Sequence, residues 1–148
     1  MRHPLIALPV TLAACVALAA CGGDTLTADE YRKQADAICK DFDAKQKELP
    51  DPKSIADFGK LTDEAKPLIE DQIEQLRDLE APDELKDQAE EAYDLLDQQV
   101  PKLDELKAAA KDNDTAKIQS VAESASKLST QANAKAKEIG LTVCGAGS

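Results

Sequence analysis

Two kinds of side chain in this sequence could do chemistry: carboxylates and cysteines. There are 29 Asp and Glu, 4 Cys and a single His. The His is His3, in the apolar N-terminal segment. The rest of the chain therefore lacks the usual general base and the usual nitrogen ligand for a metal. No Ser-His or Cys-His nucleophile can be assembled, and no Glu-x-x-His pair for a di-iron bundle. The one Met is Met1, so a haem iron would find neither His nor Met as an axial ligand. No GxGxxG and no phosphate-cradling Gly-rich loop occurs. These absences predict a noncatalytic protein with no cofactor and no metal site.

The carboxylates recur in clusters: Asp63-Glu64, Glu70-Asp71-Glu74, Asp83-Glu84-Asp87 and Glu90-Glu91-Asp94-Asp97. At helical spacing each cluster shares one face. Catalysis by two acids needs burial to drive their pKa values apart, and nothing in the pattern buries these, so they read as solvated surface. A carboxylate-only enzyme or a weak divalent-cation binder are the lesser readings. One stretch begins like a calcium loop. Asp112, Asp114 and Glu123 stand at its positions one, three and twelve. Position five is Ala116, and position six is Lys117 where the sharp turn needs Gly, so a capped turn between helices is expected.

The cysteines fall into two pairs. Cys15 and Cys21 each end the tetrapeptide Leu-Ala-Ala-Cys, and Cys39 and Cys144 lie far apart in the remainder. Met1-Arg2-His3 is a short basic start, and Leu5 to Ala20 carries no charge and ends in small residues. That is the layout of a secretory signal, too short for a comfortable membrane span. Both tetrapeptides resemble the lipobox of bacterial lipoprotein signal peptides, in which the Cys thiol receives a diacylglyceryl group and the leader is cut before it. Cys21 is the better acceptor, because Gly22-Gly23-Asp24-Thr25 after it forms a polar leash. Modification at Cys15 would leave Val16 to Ala20 as an apolar stub. The expected division is a leader over 1–20, a flexible linker over 21–27, a helical domain over 28–144 and a disordered tail over 145–148. The resemblance implies an extracytoplasmic domain held on the cell membrane by lipid on Cys21; two acyl chains suffice for stable anchoring.

Aromatic content is 3% and there is no Trp, so the core must be built from Leu, Ile, Val and Ala. Thr27 with Glu30 is a capping-box pattern, followed by an apolar stripe at Tyr31, Ala35, Ile38, Phe42 and Leu49 that Pro50 and Pro52 end. Ser54 caps a second stripe, Ile55 to Leu79, with Pro67 predicted to kink or briefly break it. A third starts at Ala81-Pro82-Asp83-Glu84 and runs to Ala110, with a kink at Pro101. Asp112 or Asp114 caps the fourth, Ile118 to Ile139, which Gly140 ends in a left-handed conformation with Leu141 packing back. Opposite charges at helical spacing, such as Glu74 and Asp78 near Arg77, read as solvated pairs of small worth. The predicted fold is all-α: an antiparallel up-down-up-down four-helix bundle.

In such a bundle the first helix neighbours the end of the fourth, so residues 141–144 can fold back to Cys39. An exported chain meets an oxidising environment, and neither Cys lies in a CxxC or beside a His, so a Cys39–Cys144 disulfide is expected. Tyr31-Arg32-Lys33-Gln34-Ala35-Asp36-Ala37-Ile38-Cys39 and the closing Ile139-Gly140-Leu141-Thr142-Val143-Cys144 resemble a broad group of small exported lipoproteins of actinobacteria. The resemblance implies fold and location and no activity.

Formal net charge is −11, and the leader takes only Arg2 from the basic side. Such a surface repels nucleic acid and anionic headgroups. The expected role is noncatalytic binding in the cell envelope, to an unknown envelope protein or a small ligand. The sharper form is a carrier of a small apolar molecule in a gap between helices, because Ala-rich faces kinked at Pro67 and Pro101 can leave one.

Overall fold

The computed structural model describes residues 26–146. Within them the chain forms α1 (Ala28–Lys47), α2 (Ile55–Asp78), α3 (Lys86–Asp97), α4 (Val100–Lys111) and α5 (Thr115–Ile139), with no strand among the described residues. Helices α3 and α4 are two halves of one rod, interrupted only at Gln98–Gln99, whose backbone stays right-handed. The result is an all-α bundle of four rods. Each start has a local cause. Thr27 accepts from Glu30 N–H while the Glu30 carboxylate accepts from Thr27 N–H, the expected capping box. Ser54 caps α2 through Asp57 N–H, and Asp114 caps α5 through Lys117 N–H. Asn113, at φ 54, makes the preceding turn; Asn tolerates that left-handed region through its own local hydrogen bonding.

The end of α5 is a Schellman turn. Gly140 N–H donates to the Lys137 carbonyl and Leu141 N–H to the Ala136 carbonyl. Gly140 is required twice over. Its φ is 91°, and a Cβ there would stand 2.9 Å from Arg32 Nε. Arg32 Nε in turn donates to the Ile139 carbonyl at 2.7 Å, so a cation on α1 closes the negative end of α5.

Four expectations are corrected. Pro67 does not interrupt α2, which is continuous from Ile55 to Asp78. Pro67 lies on the exposed face, where water can satisfy the carbonyl of exposed Asp63 that a proline cannot reach. Pro101 acts more strongly than a kink. It sits in the first turn of α4, and the chain breaks just before it through Gln99 N–H to Leu96 O and Lys102 N–H to Gln99 O. The third rod also starts late, at Lys86, because a tight turn (Leu85 N–H to Pro82 O, 2.8 Å) precedes it. At the other end Gly145, expected to begin the tail, is buried in a turn closed by Ala146 N–H on the Val143 carbonyl.

Alanine is the commonest residue of the core. Tyr31, Ala35, Leu76, Ala89, Ala92, Tyr93, Ala136 and Ile139 form one buried cluster, and only Tyr31 and Ile139 are large and fully enclosed. Two tyrosines therefore carry much of its volume, and their hydroxyls must be satisfied inside. Tyr93 Oη donates to the Leu76 carbonyl at 2.9 Å, one of the four carbonyls that the end of α2 leaves open. That carbonyl can only accept, so the single Tyr93 proton is committed to it. Tyr31 must then be the donor across the 2.5 Å contact between the two hydroxyls. Burial pushes both phenols above their ordinary value. Outside them, Arg77 lies 5.2 Å over the Tyr93 ring and pairs with Glu90 at 2.6 Å and Asp97 at 2.7 Å on α3. It turns to these acids rather than to Glu74 and Asp78 on its own helix.

The direction of this relay makes its two members unequal. Tyr93→Phe orphans both the Leu76 carbonyl and the Tyr31 proton and is expected to cost about 1–3 kcal/mol, whereas Tyr31→Phe leaves Tyr93 donating to Leu76 and costs about 0.5–1.5 kcal/mol. Urea unfolding of the two variants checks the order. Equal losses, or the reverse order, would refute the assigned direction.

Candidate functional site

Helix α1 makes its closest backbone approach to α2. Its links to α3 and α5 run through side chains of its first three turns. Tyr31 reaches Tyr93, Arg32 reaches the Ile139 carbonyl, and Cys39 is bonded to Cys144 with their Cα atoms 5.3 Å apart. That separation is ordinary for a disulfide. The bond closes 105 residues of chain, as the cysteine spacing predicts. The third predicted site residue, Cys21, lies outside the described residues.

Beside the disulfide is a contact that the sequence did not flag. The Asp36 carboxylate accepts from three successive backbone N–H groups, those of Thr142 (2.9 Å), Val143 (2.8 Å) and Cys144 (3.3 Å), and from the Thr142 hydroxyl at 2.6 Å. Consecutive amides converging on one anion form a nest. Here the segment after α5 supplies the nest and α1 supplies the anion. Partial burial pushes the Asp36 pKa upward, but the hydroxyl and amide donors outweigh it and hold the carboxyl below its ordinary value. Asp36 stands in the Ala-Asp-Ala-Ile-Cys stretch that precedes the bonded Cys. Its position beside Cys39 was the available signal.

This strap shuts one end of a partly enclosed cavity of about 140 Å³ between α1, α2, α3 and α5. Its inner wall is Tyr31, Leu76, Ala92, Tyr93, Ala136 and Ile139, all buried. Its outer rim is Phe42, Asp43, Gln46, Gln99, Ser129 and Asn133, of which only Gln46 is fully exposed. The gap exists because α1 is pinned to α5 at one end and leans on α2 along its length. Small residues at Ala92, Ala132 and Ala136 then leave the middle unfilled. Two glutamines are among its lining residues, Gln72 buried and Gln99 half-buried. Gln72 spends a donor on Cys39 Sγ, a weak acceptor at 3.5 Å, and Gln99 Nε2 is shut from the surface with no partner among the described residues. Neither glutamine was singled out in the sequence; both lie off or between the apolar stripes.

The acid clusters sit elsewhere. Asp63, Glu70, Asp71, Glu74, Asp83, Glu84, Asp87, Glu90, Glu91, Asp94 and Asp97 are all exposed, and several pair with basic partners, as in Lys107–Asp63 at 2.6 Å and Lys135–Glu91 at 2.8 Å. Asp114 and the residues after it through Glu123 are helix cap and helix rather than a calcium loop. Among the described residues no three His, Cys, Asp or Glu converge to hold a metal. No described helix is long and apolar enough to cross a membrane.

Because its carboxyl is depressed in the fold, Asp36 stabilises at pH values above its unfolded value of about 3.9 and loses that contribution as pH falls through the folded pKa. Asp36→Asn is expected to lose about 1.5–3 kcal/mol at pH 7. As pH falls below the unfolded value and through the lowered folded one, the difference from wild type should shrink, and at pH 7 the amides of residues 142–144 should exchange faster with deuterium. A loss that does not change over that range would show that the charge of Asp36 is not what holds the strap.

The chain matches no protein-family model, no curated protein and no solved structure.

Proposed function

We propose that this is an exported domain, tethered to the outer face of the cell membrane by lipid on Cys21, that holds a small and largely apolar molecule without transforming it. The observation that carries the binding half is the cavity of about 140 Å³ beneath α1. A well-packed domain this size normally has few voids larger than a water molecule, and an apolar cavity of roughly 150 Å³ can take up benzene. Noncatalytic holding fits the lining. Both cysteines there are bonded to each other, and both phenol protons are committed and held by burial. Asp43 is the one carboxylate among the described lining residues, and it has no second acid with which to divide acid and base roles.

The export half is supported by the basic start, the uncharged Leu5–Ala20 segment and the Leu-Ala-Ala-Cys before Gly22. The Cys39–Cys144 bond fits an oxidising compartment. The acidic surface fits a domain that stands off anionic headgroups instead of lying on them.

Intact mass of the protein extracted from membranes tests the tether. The expected species is residues 21–148 plus acyl chains, gaining two hydrogens on reduction. A mass without acyl groups overturns the tether. The cavity is tested on residues 21–148 carrying Cys21→Ser, a chain with neither leader nor acyl group. Ethylbenzene should shift the methyl resonances of Ala92, Ala132 and Ala136 saturably. Absence of any shift at those methyls overturns the small-ligand reading.

A further inference from the structure

The rim of the cavity carries a charge that its inner wall lacks. No Lys, Arg or His is among the described lining residues, and Asp43 is the one acid. Helix geometry sets the side of α1 on which it stands. Asp36 and Cys39 both reach the segment after α5, one through hydrogen bonds to residues 142–144 and the other through the disulfide. Asp43 follows Asp36 by two turns and Cys39 by one, so it lies on the same flank of the helix. Beyond the strap that flank borders the cavity, where Asp43 is half-buried and Ser129 and Asn133 of α5 also line the rim.

The Asp43 carboxylate is not spent inside the protein. The ion pairs of α1 join Arg32 to Asp29 and Lys45 to Asp41 and Asp71, and Asp43 takes part in none of them. Lys40 and Lys47, three residues before it and four after, are exposed and unpaired with it. Ser129 and Asn133 add a hydroxyl oxygen and an amide oxygen that can accept as well. The arrangement disfavours an anion, which would lose water without meeting a counter-ion. The formal net charge of −11 repels an anion before it arrives and draws a cation in. A cation at a half-exposed rim keeps part of its hydration, so it avoids the full cost of burial. At about 140 Å³ the interior takes a single ring.

We propose that the cavity selects a small amine: an apolar body no larger than one ring enters, and its protonated nitrogen stays at the rim on the Asp43 carboxylate. This rests on the small-ligand reading above, and the experiment separates the two. Benzylammonium, ethylbenzene and phenylacetate share a ring and a short arm and are positive, neutral and negative in turn. Each is titrated into residues 21–148 carrying Cys21→Ser, and binding is read from the methyl resonances of Ala92, Ala132 and Ala136. Benzylammonium is expected to bind about tenfold more tightly than phenylacetate, since one carboxylate attracts the first and repels the second. Two variants that remove the same charge locate the effect, with ethylbenzene as the reference for the cavity in each. Asp43→Asn should lower the affinity for benzylammonium relative to ethylbenzene about fivefold, the upper range for an exposed ion pair. Glu48→Gln, at the exposed end of α1 and outside the lining, should leave that ratio unchanged.

Equal binding of benzylammonium and phenylacetate overturns the cation preference and leaves the small-ligand reading standing. No fall in Asp43→Asn, or an equal fall in Glu48→Gln, overturns the assignment to Asp43. Benzylammonium that binds without moving the three methyl resonances overturns its seat in the cavity. Failure of all three probes to move them overturns the small-ligand reading itself.

Discussion

The structure depends on one tie, from the end of the chain back to its first helix. Helix α1 leans on α2 and has no comparably close partner along its other flank. What fixes that flank is the Cys39–Cys144 bond with the Asp36 carboxylate beside it. The bond limits how far the unfolded chain can spread, a contribution of about 4 to 5 kcal/mol for a loop of about a hundred residues in the entropic account. That is large against the 5–15 kcal/mol typical of whole domains, and it matters in a core that gives seven of its buried positions to alanine. The carboxylate acts differently. It sets the conformation of residues 142–144 locally, so the sulfur of Cys144 is presented to α1.

The same tie explains how a bundle of small residues can carry a cavity. Four rods packed to uniform density would collapse onto alanines at 92, 132 and 136. Here the Tyr31–Tyr93–Leu76 relay and the strap hold α1 at a fixed height over α3 and α5 on one end. The half of α1 beyond Cys39 is propped by Phe42, half-buried at the rim. The helix is spaced by its tyrosines and its disulfide rather than by continuous packing, and the space beneath is the difference.

Most of the scaffold was legible because its signals are local. The Thr27–Glu30 box, Ser54, the Asp114 cap and Gly140 each act within one turn, so a few letters suffice. The disulfide was legible because an even pair of cysteines and an antiparallel bundle leave a short way for the chain to return. The two internal prolines look alike in sequence and behave differently, because exposed Pro67 rests on a long helix packed on both sides of it and Pro101 falls where a rod must change neighbours. Tyr93 was not singled out in the sequence. Its burial depends on Tyr31, a helix away in space, to meet its hydroxyl. The cavity was anticipated only as something small residues permit. Its position follows from how α1 is pinned. Asp36 lay in plain view as one acid among 29; only the fold brings three amides to it.

The chain comes into the bundle at Leu26, half-buried against the core, directly before the first turn of α1 and at the strapped end. The rim residues of α1, Phe42 to Gln46, lie about 25 Å farther along the helix at 1.5 Å per residue. Entrance of the chain and mouth of the cavity are therefore at opposite ends of one rod. The chain therefore joins the domain at the strapped end of α1, most of a rod's length from the α1 residues that rim the cavity.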